Sequence, residues 1–183
     1  GESGDVSGVG LVDRGMAGGE SKGAMGVARL GVRVRGVGRG GDDWWGRCVR
    51  DNRRGEGRDC SDVQIDPAHP TGVQLKGRCD DGSDPAVEYF RRGSAASHMT
   101  PALLQPGWLQ ARHLHATGIP LALSEGCRSL SHTLVDAMRS AGRSVSFDPN
   151  LRPSLWPDLR TMVQQTNALA AKADWVLPGL EEG

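Results

Sequence analysis

Ser144-Val145-Ser146-Phe147-Asp148-Pro149-Asn150-Leu151-Arg152-Pro153-Ser154-Leu155-Trp156 decides the fold class of this chain. A short apolar run ends abruptly in two prolines, two ionisable side chains and an asparagine, which reads as a buried strand opening into a polar loop. Upstream, Ser124 is placed to cap a helix that carries Leu130, Leu134, Val135 and Met138 on one face and stops at Gly142. Before it, His113-Leu114-His115-Ala116-Thr117-Gly118-Ile119 reads as another strand. Downstream, Leu159, Met162, Val163 and Leu169 have helical spacing, and Asp174-Trp175-Val176-Leu177 begins a third strand. Strand, helix, strand, helix, strand in this order predicts an α/β fold: a doubly wound, mostly parallel sheet with helices on both faces.

Towards the start of the chain the pattern continues less regularly. Residues 24–31 have helical apolar spacing and a glycine stop, and Val32, Val34 and Val37 predict a strand that ends in Gly38-Arg39-Gly40-Gly41-Asp42-Asp43. Asp43 is placed to cap a helix through Trp44, Trp45, Cys48 and Val49. From Val63 to Pro101 the texture changes. Val73 and Leu75, then Val87 and Tyr89, alternate with polar residues on either side of Asp80-Asp81-Gly82-Ser83, which predicts a β-hairpin with one wet face. Such a hairpin interrupting α/β sequence reads as an appended lid within about residues 63–101 of a single domain.

The 183 residues contain 22 Lys+Arg and 22 Asp+Glu, so no net field points to nucleic acid or to an anionic membrane as a partner. No apolar run reaches the roughly 18–20 residues that span a bilayer. The four cysteines, Cys48, Cys60, Cys79 and Cys127, form no CxxC pair and read as reduced thiols. A cytoplasmic setting is the expectation. Of the 27 glycines, 17 fall before residue 58, so the later two thirds read as the better-formed globular part. Both ends of the sequence, Gly1 and Leu180-Glu181-Glu182-Gly183, read as cut.

In a parallel α/β sheet, ligands bind beyond the carboxyl ends of the strands. Asp148, Asn150 and Arg152 lie at i, i+2 and i+4 there, and in an extended segment braced by Pro149 and Pro153 they share a face. An arginine fork suits a carboxylate or phosphate, while Asp and Asn suit hydroxyls or a magnesium shell. A capped strand-to-helix loop with an internal Asp–Arg pair has the same spacing, and both readings stay open. Tyr89 and Arg91 face one side of the second lid strand, either to close over an anionic polyol or as a solvated edge. Gly18 and Gly19 either let backbone N–H groups approach a ligand or simply make a loop. His113 and His115, with no third ligand, read as packing residues rather than a metal site.

Taken together and in order, several segments resemble the ribokinase-like (PfkB) carbohydrate kinases, nearest to the 2-keto-3-deoxygluconate kinase branch. They are Ala28-Arg29-Leu30-Gly31, Gly41-Asp42-Asp43, Pro70-Thr71-Gly72, Tyr89 through Ser97, His113-Leu114-His115 with Thr117-Gly118-Ile119, and Asp148-Pro149-Asn150-Leu151-Arg152 with Leu155-Trp156. The resemblance implies transfer of phosphate from ATP, with Mg2+, to the terminal hydroxyl of a small sugar acid. It also implies a β lid that forms a homodimer contact. By position, Gly18 and Gly19 would approach the sugar, Tyr89 and Arg91 would be lid contacts, and Arg152 would meet the acid. Asp148 and Asn150 would support the phosphate side, and Glu182 would stand indirectly in the metal and phosphate shell. The departures are Lys22 and Gly179, each where the family has asparagine, and Gln74, where close relatives have a lid tyrosine. The family's catalytic aspartate belongs to a Gly-Ala-Gly-Asp motif beyond Gly183. The chain is therefore expected to carry the sugar-binding part, to lack the nucleotide-binding carboxy-terminal part, and to be inactive alone. A neutral-sugar kinase of the fructokinase or ribokinase type, and a non-catalytic binding or dimerisation fragment, are the alternatives.

Overall fold

The structure is a computed structural model that describes residues 19–55, 59, 61–77, 87–180 and 182. Its elements run α1 (Gly19–Arg29), β1 (Gly38–Gly41), α2 (Trp44–Gly55), β2 (Val63–Asp66), β3 (Val73–Lys76), β4 (Val87–Phe90), β5 (His113–Thr117), α3 (Gly118–Leu123), α4 (Glu125–Ser140), β6 (Ser144–Asp148), α5 (Leu159–Ala170) and β7 (Trp175–Val176). The α/β class expected from the sequence is the class observed. Among the described residues the parallel strands form two ladders, β1–β2 and β5–β6–β7, and β3 and β4 form a separate antiparallel hairpin.

The later ladder carries the core. Val145 and Phe147 on β6 are fully buried and pack with Leu121 of α3, Val135 and Met138 of α4, Met162 and Leu169 of α5, and Trp156. The helix ends follow the sequence signals. Ser124 Oγ accepts the Cys127 N–H at 3.1 Å, and Asp158 Oδ1 accepts the Thr161 N–H at 2.7 Å. α4 ends on Gly142 at φ +68, with Arg143 N donating to Met138 O and Gly142 N to Arg139 O, the two bonds of a Schellman stop. α1 ends in the same way on Gly31, at φ +82.

Three expectations are corrected. The valines at 32, 34 and 37 do not form the predicted strand; pairing begins at Gly38, with one isolated bridge between Arg35 and Asp59 ahead of it. The reason is crowding: a Cβ on Gly41 would lie 2.6 Å from His69 O and 2.8 Å from Thr71 N, so this strand is made of glycine where the backbones meet. β5 stops at Thr117 and Gly118 opens α3, with Pro120 in the first turn, where a missing N–H is harmless. Gly18 lies outside the described residues, while Gly19 is the first residue of helix α1 rather than a loop glycine. The hairpin is β3 against β4, as Val73, Leu75, Val87 and Tyr89 predicted, while β2, in the same span 63–101, pairs with β1. The turn at residues 80–83, Cys60 and Cys79 lie outside the described residues.

Candidate functional site: the strand ends and the lid

The carboxyl ends of β5 and β6 meet at Thr117 and Asp148, which are partners in register. Gly118 lets the loop after β6 come close, since a Cβ there would run into the Pro149 carbonyl. Asp148 Oδ1 accepts the Asn150 N–H at 3.0 Å, an Asx turn, and Asn150 adopts φ +39. This left-handed residue breaks the extended run, so Asp148, Asn150 and Arg152 do not share one face as their spacing predicted. Arg152 is exposed, and its Nη1 donates to the Leu151 carbonyl at 2.9 Å, a contact within its own loop.

Glu182 is tied to this loop. Its Oε1 accepts the Leu151 N–H at 2.6 Å and its Oε2 the Gly179 N–H at 3.1 Å. Between the loop, α5 and β7 lies a cavity of about 300 Å³ lined by Pro149, Leu151, Met162, Thr166, Val176 and Glu182. Thr117 Oγ1 and Thr166 Oγ1 are buried with no hydrogen-bond partner among the described residues. Thr117 was marked only as part of the Thr117-Gly118-Ile119 segment and Thr166 not at all, because their burial depends on how the helices close over the sheet.

The lid brings its predicted pair together. Arg91 Cζ lies 4.3 Å from the Tyr89 ring centroid, and Arg91 Nη2 donates to Gln74 Oε1 at 3.2 Å. Gln74 is paired with Tyr89 in the hairpin register, so the residue standing where close relatives carry a tyrosine braces the arginine here. The contacts of Arg91 are thus within the lid, and those of Arg152 within the β6 loop. The side chain of Lys22, in α1, is not among those described.

At the lid's root stands a cluster that the sequence reading did not find. Asp66, 1% exposed, accepts the Ala68 N–H at 2.9 Å and contacts His69 Nδ1 at 2.8 Å and Arg39 Nη2 at 3.1 Å. The Ala68 N–H, then His69, hold its carboxyl below the usual range against the opposing effect of burial. His69 stacks on His98, with centroids 3.5 Å apart and planes 18° apart. The donor atoms of Asp66, His69 and His98 lie within 4.8 Å of one another, but the Arg39 guanidinium already sits on the Asp66 oxygen that a cation would need. Beside this cluster, Asp43 accepts the Gly46 N–H at 2.7 Å, the Thr71 N–H at 2.7 Å and the Thr71 hydroxyl at 2.8 Å. Burial raises the Asp43 carboxyl, and these bonds outweigh it, so the net shift is downward. His113 and His115 hydrogen-bond to Ser144 and Ser146 on β6, as packing residues do.

This arrangement, parallel strands with a polar loop at their carboxyl ends and a separate two-stranded hairpin, has known counterparts. The pfkB family carbohydrate kinase description matches residues 3–183. The chain belongs to that family. It is 44% identical over its whole length to the 2-dehydro-3-deoxygluconokinase of Bacillus subtilis (strain 168), of which it covers 56%. The PfkB protein from Polaromonas sp. JS666 is 50% identical in sequence, with a TM-score of 0.86 over 91% of this chain and 56% of that one. A fructokinase from Vibrio cholerae O395, solved with fructose, ADP and calcium ion, is 26% identical with a TM-score of 0.78, over 91% of this chain and 53% of that one. The chain therefore spans about half the length of its relatives. Among the described residues, no helix is long and apolar enough to cross a membrane.

Proposed function

We propose that the full-length protein is an ATP-dependent kinase that phosphorylates the terminal hydroxyl of 2-keto-3-deoxygluconate, and that this chain supplies mainly the sugar-binding part. The observation that carries the acid assignment is the lid pair. A guanidinium held over Tyr89 and braced by Gln74 is pre-organised to meet a carboxylate, and little rotamer freedom remains to be lost on binding. Exposed Arg152 at the strand end is the second guanidinium of this reading, with Gly18 and Gly19 approaching the sugar.

The cation and nucleotide follow from the family. Asp148 and Asn150 support the phosphate side, and Glu182 stands indirectly in the Mg2+ shell. Glu182 already accepts two backbone N–H groups, so its part is indirect: it holds the loop that carries Asp148 and Asn150. When bound, the metal supplies charge neutralisation around the transferred phosphoryl group. The residues of this chain bind and orient the acceptor, and the base that takes its proton belongs to the family's later motif. Cys48 and Cys127, both free thiols, accord with a cytoplasmic enzyme. Leu75 and Phe90, about half exposed on the lid, support a homodimer contact there.

In the complete protein, Arg152→Ala is expected to lower kcat/KM for the keto-deoxy acid at least about tenfold, a loss of ~1.4 kcal/mol of transition-state binding, and to leave fructose nearly unchanged. An equal loss on both sugars would overturn the acid assignment in favour of a neutral-sugar kinase, the reading to which the fructose-bound relative lends weight. The 183-residue chain alone is expected to show no phosphoryl transfer, and ATP turnover with the acid would refute that.

A further inference from the structure

Both strands of the lid are fastened at one place. Asp66, at the end of β2, holds His69 just before the chain enters β3. His98, in the short 3-10 helix after β4, lies face to face on His69. Arg39 of β1 ties the two together, with Nη2 on Asp66 and Nη1 donating to the His98 carbonyl at 3.1 Å. The Pro70 carbonyl accepts the Ala95 N–H at 2.7 Å, which closes the loop between the two roots.

The hydrogen bonds fix the tautomers. A carboxylate only accepts, so His69 Nδ1 carries its hydrogen towards Asp66. A carbonyl only accepts, so His98 Nδ1 donates to Ser94 O at 3.0 Å. Each ring keeps Nε2 for a further proton. A proton on His69 is met by the Asp66 carboxylate. One on His98 as well places two cations in a stack 3.5 Å apart, with Arg39 as a third. The other groups facing this root are Asp43, with Asp42 and Arg47 behind it, and the neutral Ser97, Gly126 and Cys127.

We propose that Asp66, His69 and His98 are positioning residues for the lid: the imidazole stack sets the attitude at which Tyr89 and Arg91 are presented, and a second proton on the stack releases it. What the lid is presented to rests on the sugar-acid reading above; the latch itself does not. Such a device makes sugar capture weaken in acid without any titrating group touching the sugar, since histidine is the side chain that changes charge between pH 5 and 8.

Tyr89 is the single tyrosine of the chain, so 3-fluorotyrosine places one fluorine reporter on the lid. Its 19F resonance in the 183-residue chain is expected to move between two positions as pH falls from about 7, where the fluorophenol is still protonated, to about 5. In His98→Phe, which keeps a stacked ring but takes no proton, it is expected to stay at its high-pH position throughout. Asp66→Asn, which takes away the carboxylate that holds His69 and Arg39, is expected to move the resonance off its native position already at pH 7. A reporter indifferent to pH in the native chain, or one that moves equally in His98→Phe, overturns the proposal. His98→Gln serves if circular dichroism shows the phenylalanine variant unfolded. Adding 2-keto-3-deoxygluconate at pH 7 is a separate arm. Silence there counts against the sugar-acid reading, while the pH arm alone judges the latch.

Discussion

The two halves of this molecule are held together by different physics. Around β5–β6–β7, fully buried Leu121, Val135, Met138, Val145, Phe147 and Leu169 make one contiguous apolar core. Around β1–β2 the strands are short, one is mostly glycine, and the closest contacts are carboxylates gripping backbone N–H groups: Asp43 on Gly46 and Thr71, Asp59 on Ser61, Asp66 on Ala68. Burial of apolar area is indifferent to pH and to direction, whereas a carboxylate clasp is directional and exists only while the group is ionised. The half built on clasps is also the half from which the lid projects. A lid must hold an angle, and hydrogen bonds to fixed donors specify angles better than apolar contact does.

The comparison can be broken at its strongest point first. Phe147→Ala is expected to destabilise the chain by about 3–5 kcal/mol in urea unfolding, since the ring is fully buried between α4 and α5. The loss is expected to be the same at pH 5 and pH 7; a strong pH dependence would remove the distinction between the halves. Next, Gly46→Ala places a methyl group on the Gly41 carbonyl, which cannot retreat without opening the Asp43 clasp. A loss of about 1–3 kcal/mol is expected. Faster hydrogen exchange at Thr71 but not at Val145 would locate it in the first half.

Smaller effects sharpen the contrast. Asp43→Ala removes a helix cap, which costs about 1–2 kcal/mol, and frees Thr71 at the lid's root; Ser124→Ala, a plain cap on α4, serves as the control at about 1 kcal/mol. Asp43→Ala is expected to accelerate exchange of lid amides, and Ser124→Ala to leave them alone. The last test is acid. Asp66 and Asp43 have folded carboxyls held below their ordinary value, so the stability they add is complete above the unfolded value of about 4 and is lost as pH falls through the folded one. Exchange at Ala68 and Thr71 is expected to rise below pH 4 before exchange at Val145 does. Simultaneous rise would mean the two halves open as one.

Much of the later half was legible because its signals are local and agree with one another. Ser124 caps and Gly142 ends the helix they were expected to bound, and the apolar residues of α4 recur at the helical period. The first half misled because glycine has no strand propensity of its own. Val32, Val34 and Val37 read as a strand, yet pairing fell on Gly38–Gly41, where a side chain has no room. Within the candidate site, the Tyr89–Arg91 pair followed from the two-residue period of a strand and was found. The shared face of Asp148, Asn150 and Arg152 followed from the same period and failed, because the Asx turn on Asp148 sends Asn150 into the left-handed region. The Asp66–His69–His98–Arg39 cluster had no period or motif to announce it.

By itself the sequence determined the alternation of strands and helices in the later half, the residues that bound α4 and the family to which the chain belongs, because these depend on residues close together along the chain or on patterns repeated within it. Only the tertiary structure decided that Glu182 holds the loop after β6, that Gln74 braces Arg91, and that four residues from β1, β2 and both roots of the lid share one ionic cluster. The reason is that a hydrogen bond or ion pair requires its partners within about 3 Å. Which distant residues come that close is fixed by packing, on which the spacing of residues along the chain has no bearing.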